Sequence, residues 1–585
     1  MANNNIKLQN LRHSCAHLLA ATILEMYPGA KNAIGPAIDN GFYQDFDLGE
    51  HKISENDFPV IENRMHERVL KWDKFTEKQV SVEQAKADFS WNPYKQELID
   101  EFATEGKIIT ENNPGDFLDL CKGGHCDNPA HELKNFKLLS VAGAYWRGSE
   151  KNKMLTRIYG TYFETKDELD KYLWQINEAK KRDHKKIGIE LDLFTYSDLV
   201  GPGLPLWTPK GTIIRQILDD FVWTLRREKG YQRVEIPHIT KSDLYKISGH
   251  WDKFKNELFI IKTREGHTFA MKPMNCPHHT QIYNHRQRSY RDLPQRYANT
   301  TMCYRDEQTG ELSGLSRVRS FTQDDAHVFC RQNQIKDEIL KIWDIVDNFY
   351  QPFGFNLRVR LSLHDPKNMK AYLGKESSWR SAEKALIDIA KQKKAKYFIA
   401  TGEAAFYGPK IDFMAYDSLS REWQVATIQL DMNMPDRFDL VCIDENGQQE
   451  RIVMIHAAIM GSIERFLSIL IEHYAGNFPT WLSPVQVLIL PVSEKHLLTS
   501  HKVFEIMLQD GIRVQIDNDN KTLGAKIRQG VLQKIPYLCI IGDKEEEKST
   551  NTDMKISVRG RTKELGLTSV NEFLKSIKDQ VDKKI

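Results

Sequence analysis

"RVRSFTQDDAHVF", residues 317–329, is the stretch on which the fold turns. Arg319, Phe321, Gln323, Asp325 and His327 stand at every second position, so an extended chain turns all five to one face of a sheet. A solvated polar face accounts for the charges but not for Phe321. The flanks add to it. "YANTTMCYRDE" (297–307) reads as a second strand ending in Arg305 and Glu307, and "QTGELSGLS" (308–316) carries the Gly, Ser and Thr of a long hairpin loop. Two strands and a loop thus converge on a pocket lined by both charges. Further on, "RIVMIHAAIMGSIERFLSILIEHYAG" (451–476) passes from a β-branched strand into an apolar helix, with Ser462 and Arg465 on one face near its start. An arginine in so apolar a helix needs an anion, and a carboxylate or a phosphate would serve.

The surrounding chain bounds what this pocket belongs to. At 585 residues the length implies about three or four domains. Lys+Arg 82 against Asp+Glu 80 excludes a globally basic nucleic-acid binder, so any basic surface is local. Eight scattered cysteines are no disulfide framework, and the polar start "MANNNIKLQN" has no signal-peptide core, so a reducing, cytoplasmic location is expected. No apolar run reaches the roughly 20 residues of a membrane span.

Three blocks follow from patterning. Residues 1–163 mix a helix from Gln9 to Met26, stopped by "YPG", with short strands such as "NGFYQDF", an α+β domain. "TKDELDKYLWQINEAKKRDHKKIG" places Leu169, Tyr172, Leu173, Ile176 and Ala179 at helical spacing, so 164–185 reads as one connecting helix. Residues 186–480 hold the strand-rich block with the pocket. Residues 481–585 alternate apolar strands such as "VQVLILP" and "PYLCIIGD" with helices, the rhythm of a small doubly wound α/β domain.

Two histidine pairs remain. "RHSCAHLLA" (12–20) stacks His13 above His17 on one helical face, and "LCKGGHC" (120–126) sets Cys121 and His125 four apart. Ser14 stands where an HExxH protease needs glutamate, so that reading fails. Four N and S ligands suffice for a tetrahedral zinc site, and a metal-free pocket stays equally open.

Together these motifs resemble the class II aminoacyl-tRNA synthetases, and within them the threonine-specific branch. "KGYQRVEIPHI" with Pro237, "YRDEQTGELSGLSRVRSF" and "GSIERF" are similar to the three class motifs, in order, and "MKPMNCPHH", "FTQDDAHVFC" and "VMIHAAIMGSIER" make the set specific. The resemblance implies an antiparallel-sheet catalytic core, an α+β editing domain and a C-terminal α/β anticodon-binding domain. It implies ATP-dependent attachment of threonine to its tRNA through a threonyl-adenylate, with Mg2+ accompanying ATP, and hydrolysis of mischarged seryl-tRNA. The small ubiquitin-like domain usual at the N-terminus of this family is not expected, since His13 lies almost at the start, and Gly124 replaces a common proline.

The roles the resemblance implies can be placed on this sequence. Arg305 would hold the α-phosphate, Arg465 and Arg317 the γ end, Phe321 would stack on adenine, Glu307 would help fix the base, and Ser462 would bind substrate. Cys276, His327 and His456 would hold one Zn2+ per subunit with an open coordination position. Their separations of 51 and 129 residues carry no signal by themselves. Such a metal can take threonine's hydroxyl and reject valine, which an apolar pocket separates poorly. Asp325 would receive the amino group, with Gln323 and Gln424 near the carboxylate and Tyr407 at the pocket. Serine keeps the hydroxyl and needs a second site, for which the resemblance offers His13, His17, Cys121 and His125 as a metal-free pocket, aided by Tyr43, Lys95 and Asp119. Asn520, Glu545 and Arg559 would read the anticodon of the tRNA, beside a local cluster of Lys544, Lys548, Lys555, Arg559, Arg561 and Lys563. A homodimer built around Pro237 is implied. A relative that has lost catalysis and binds RNA alone would show damaged motif arginines, and these are intact. A relative charging proline, serine or histidine would lack the combined Cys/His sets.

Overall fold

The structure, a computed structural model, describes residues 2–550 and 553–585. The chain forms two compact units, residues 1–177 and 178–585. The division falls inside the helix Lys166–Lys181, and a second helix, His184–Glu190, starts after a break capped by Asp183, whose side chain accepts the Lys185 N–H. The single connecting helix expected over 164–185 is therefore two. Asp183 competes for the backbone donor and ends the first.

In the first unit the helix Ala2–Met26 buries Leu11, Cys15, Leu18, Leu19 and Ile23 and ends at Tyr27-Pro28-Gly29, where Gly29 takes the left-handed conformation (φ +89°). It packs on an antiparallel sheet built from Gly41–Asp47, Met154–Tyr162 and Phe136–Tyr145. A separate three-stranded sheet, Thr76–Gln79, Thr110–Asn113 and Asp119–Leu120, delivers Asp119 and Cys121.

The second unit contains an eight-stranded sheet in the order Gln232–Arg233, Gln295–Tyr304, Ser320–Cys330, Val453–Ala458, Glu422–Asp431, Lys410–Tyr416, Asn356–Leu363, Tyr397–Thr401. All neighbours are antiparallel except the outermost pair at each edge. Helices Pro209–Glu228, Ile335–Tyr350 and Ile463–Tyr474 contribute to its main core, with Leu218, Ile342, Phe349, Phe466 and Leu470 sealed from water. Burial of such side chains, at about 25 cal/mol per Å² of apolar surface, is the main force holding the sheet flat against its helices.

The C-terminal sheet departs from the doubly wound expectation. Val514–Ile516, Val487–Pro491 and Tyr537–Ile541 are parallel, but Lys555–Gly560 and Glu564–Ser569 continue the sheet as an antiparallel hairpin. The parallel strands read as unbroken apolar runs because both faces are covered, whereas the hairpin alternates with polar residues and gives a weaker signal. Among the described residues no helix is long and apolar enough to cross a membrane.

Candidate active sites

The strand Ser320–Cys330 forms the shared wall of two adjoining cavities. The larger, about 580 Å³, is lined by residues including Arg305, Glu307, Arg317, Phe321, Gln424 and Arg465. The smaller, about 150 Å³, holds Cys276, Asp325, His327, Tyr407 and His456, and the two share Arg305, Gln323, Thr427 and Ala458. The alternation read from the sequence therefore holds for Phe321, Gln323, Asp325 and His327. It fails for Arg319, which precedes the strand and is spent on loop carbonyls, its Nε donating to Glu307 O (3.0 Å) and Nη1 to Pro202 O (3.3 Å). The opposite face of the strand is structural. Asp324 is buried, ion-paired to Arg226, and accepts the backbone N–H groups of Ile459 and Met460 at 2.8 and 3.0 Å.

In the larger cavity the charges are arranged for an anion. Arg465 is exposed to the cavity and has no acidic partner among the described residues, and partial desolvation there lowers its pKa. Its helix begins with Ser462 as the cap, whose hydroxyl accepts the Arg465 backbone N–H at 3.2 Å, so Ser462 orients the helix that carries the arginine. Arg305 lies over the Phe321 ring, 5.2 Å from its centroid, and its Nε is buried without a partner. Arg317 is half-exposed and pairs with Glu307 (2.8 Å) and Glu311 (3.0 Å). Two guanidinium groups without acidic partners facing one chamber can take an anion with several oxygens. Gln424 lines this chamber rather than the smaller one, held by Arg360 (2.7 Å) and Asp412 (2.9 Å).

In the smaller cavity the sheet register brings distant residues together. His327 and His456 are directly opposed on neighbouring antiparallel strands, and their Nε2 and Nδ1 atoms are 3.1 Å apart. Cys276 approaches from the first turn of the helix Cys276–Asn284, and the three ligand atoms all lie within 4.8 Å of one another. Two features fit these residues to zinc. The two facing nitrogens stand at about the spacing of adjacent ligands of a tetrahedral ion. Their outer nitrogens are tied in turn, His456 Nε2 to Asp431 Oδ2 at 3.0 Å and His327 Nδ1 to His279 Nδ1 at 2.8 Å, the support that metal-bound histidines ordinarily have. Asp431 and His279 were not read from the sequence. Nor was Asn275, whose amide donates to Asp325 Oδ2 at 3.1 Å while its oxygen accepts from the buried Lys272 at 3.0 Å. The ammonium can only donate, so it fixes which way the amide faces. Tyr407 stacks near His456, 4.9 Å between centroids, and donates to Gln429.

The first unit carries the other cluster. His13 Nε2 is 3.0 Å from Cys121 Sγ and 3.3 Å from His17 Nε2, and His125 Nε2 is 3.5 Å from the same sulfur. Behind them His17 Nδ1 meets Asp119 at 3.0 Å, and Asp119 takes Lys95 at 2.6 Å, all three buried. Burial opposes the charge of each group, but the contacts win. Hydrogen bonds to Asp119 and Cys121 raise His17 to about 9, Lys95 and His17 hold Asp119 well below the usual carboxylate range, and the three imidazoles bring the Cys121 thiol down to about 3. Tyr43 stands apart from this network, stacked on Arg157 (3.8 Å) and near Tyr159. Gly123 and Gly124 run consecutively through the left-handed region (φ +87° and +85°), a path no proline at 124 could follow.

At the C-terminal sheet Asn520 and Arg559 are exposed. Glu545 is buried, its Oε2 accepting the Gly542 N–H (2.9 Å) and its Oε1 the Ser557 hydroxyl. Arg561, counted in the basic cluster, stays exposed but donates to Phe478 O (2.6 Å) and Ser483 Oγ (3.2 Å). It braces the segment entering the domain and is not a free phosphate ligand.

Comparison with known proteins agrees with this layout. Residues 255–474 match the model of the tRNA synthetase class II core domain (G, H, P, S and T), residues 486–580 an anticodon binding domain, and residues 112–159 the threonyl and alanyl tRNA synthetase second additional domain. The RNA binding domain of a Cryptosporidium parvum threonyl-tRNA synthetase superposes with a TM-score of 0.64 at 36% identity, covering 68% of this chain and 98% of that one. The threonine–tRNA ligase of Thermotoga maritima is 47% identical over 573 residues, 97% of this chain and 88% of that protein. That of Porphyromonas gingivalis is 47% identical over 577 residues, 97% of this chain and 87% of its own length, and on this similarity the chain belongs to the threonine–tRNA ligase family.

Proposed function

We propose that the two adjoining cavities activate threonine with ATP and that the first unit hydrolyses seryl-tRNA. The observation that carries the reading is the shared wall, which puts an amino-acid-sized chamber against one with unpaired arginines. Arg305 sits at the junction, where the α-phosphate must meet the threonine carboxylate, and its guanidinium stabilises the charge that develops there. Arg465 and Arg317 take the γ end, with Arg317 exchanging its glutamates for phosphate, while Mg2+ enters with ATP. Phe321 offers a face to adenine and Glu307 accepts from the base. Asp325, fixed by Asn275, takes the threonine ammonium on its remaining oxygen, with Gln323, Gln424 and Tyr407 around the substrate.

Cys276, His327 and His456 would hold one Zn2+ per subunit, and the metal supplies a Lewis-acid contact that requires the side-chain hydroxyl. Serine satisfies that requirement and lacks only a methyl, a difference worth about 10- to 200-fold. The second site removes it. His13, His17, Cys121 and His125 surround the ester, Asp119 and Lys95 fix His17, and Tyr43 closes one side after rotation of its ring. Asn520 and Arg559, with Glu545 released from Ser557, read the anticodon. The division of labour is residues 1–163 for editing, 186–480 for catalysis and 481–585 for tRNA binding, in a homodimer formed around Pro237.

ATP–pyrophosphate exchange with each of the twenty amino acids tests the reading. Threonine supports exchange strongly, serine weakly and valine not at all. A preference for proline or histidine, or no exchange with any, overturns it.

A further inference from the structure

The "RDHKKIG" segment (182–188) has no role in either site, yet it contributes a side chain whose polar atoms are all engaged. His184, buried at the start of the helix His184–Glu190, has both ring nitrogens engaged. Nδ1 is 2.6 Å from Glu472 Oε1, which also accepts the His184 backbone N–H at 3.2 Å. Nε2 receives the backbone N–H of Leu315 at 3.0 Å. A backbone N–H only donates, so Nε2 carries the lone pair and Nδ1 carries the proton that goes to Glu472.

These two partners belong to the two elements that bring arginines to the larger cavity. Leu315 is fully buried in the turn Ser313–Arg317, which closes through Ser313 N–H to Arg317 O (3.1 Å) and Arg317 N–H to Ser313 O (3.3 Å). Ser316 and Arg317 of this turn line the cavity. Glu472 lies at the end of the helix Ile463–Tyr474, whose start carries Arg465, and its other oxygen is held by Arg421 at 2.7 Å. The fit is close from the loop side as well. Gly314 takes φ +50°, and a Cβ there would stand 2.3 Å from His184 Nε2.

We propose that His184 is a positioning residue for the ATP polyphosphate, a strut that fixes the Arg317 turn relative to the Arg465 helix. This rests on the reading of the larger cavity as the ATP site. Amide side chains separate its two bonds: glutamine reaches to the Nε2 position and can accept from Leu315, whereas asparagine reaches only to the Nδ1 position and can donate to Glu472.

Steady-state ATP–pyrophosphate exchange on the full chain decides it. His184→Ala raises the KM for ATP about tenfold, the effect of losing the buried hydrogen bond from Leu315 that ties the turn, and leaves the KM for threonine within about twofold. His184→Gln restores most of the ATP affinity, and His184→Asn behaves like alanine. Gly314→Ala, which presses on the ring from the other side, raises the ATP KM in the same sense and remains informative if His184→Ala does not fold. The circular-dichroism spectrum and thermal unfolding of the full chain report that each variant is folded. Equal rises in both KM values, or an unchanged ATP KM in both His184→Ala and Gly314→Ala, overturns the strut. Absence of exchange in the unmodified protein instead overturns the ATP-site reading on which it stands.

Discussion

The two Cys/His clusters use the same side chains and live in opposite surroundings. In the first unit the sulfur and imidazoles come with their own counter-charges: Cys121 lies among three histidines, and the buried Asp119 is shared between His17 and Lys95. In the second unit Cys276, His327 and His456 sit beside two carboxylates, Asp325 and Asp431, and among the described residues no lysine is salt-bridged to either. The lesson is that ligand type and spacing alone do not tell one such cluster from the other. The charge around each cluster differs: the first sets His17 and Lys95 against Asp119 and Cys121, and the second sets Asp325 and Asp431 in a cavity whose nearest lining cation is Arg305.

The largest effect should come from breaking the second cluster. Cys276→Ser is expected to lower zinc from about one per chain and to reduce threonine-dependent exchange by about 100-fold, with ATP affinity little changed. Metal analysis beside exchange kinetics measures both, and full retention of zinc and activity contradicts the contrast. A smaller effect on the whole reaction, confined to editing, is expected from His13→Ala combined with His17→Ala. Seryl-tRNA hydrolysis should fall at least about tenfold while threonine activation and zinc content hold. Two zinc ions per intact chain, falling to one in the double variant, would show the clusters to be alike.

The smallest effect sharpens the claim of internal neutralisation. His17 is raised from 6.5 to about 9, so its contribution to stability is full below 6.5 and lost as pH rises to 9. Cys121 is lowered from 9.0 to about 3, so its contribution is full above 9 and lost as pH falls toward 3. Between pH 6.5 and 9 the two trends cancel, because the proton has moved from sulfur to imidazole and the folded and unfolded chains bind the same number. Amide exchange protection of the helix Phe58–Val69, corrected for intrinsic rates, should be flat over that window and decline below it. Cys121→Ser should convert the flat window into a loss with rising pH. A slope in the unmodified protein that the serine variant leaves unchanged would dissolve the pairing.

How far all this was legible depends on distance along the chain. The face shared by Phe321, Gln323, Asp325 and His327 is local, set by strand period alone, and could be read directly. The pairing of His327 with His456 depends on which strands become neighbours, a tertiary fact with no trace in a separation of 129 residues, and only the family resemblance supplied it. Supporting groups were the least visible. Asn275 and Lys272 were quoted within "MKPMNCPHH" without a role, because a buried lysine looks like any lysine until its partners are known. Glu545 and Arg561 show the other side: both have the chemistry of RNA contacts, and the hydrogen bonds that their folded neighbours make to them leave no trace in the sequence. The same rule explains Arg319, which satisfies the alternation and misses the strand by one residue.

The alternation along Ser320–Cys330 also sets how this enzyme can change over evolutionary time. One face carries the chemistry of two chambers, and the other carries Asp324, Ala326 and Val328, sealed against Arg226 and the core. Substitutions can be tried at each position separately. Insertion or deletion of a single residue cannot, because it would exchange the two faces at a stroke and turn Gln323, Asp325 and His327 into the core while presenting alanine and valine to both substrates. Lineages can therefore vary the lengths of the loops around this strand, but its length is locked.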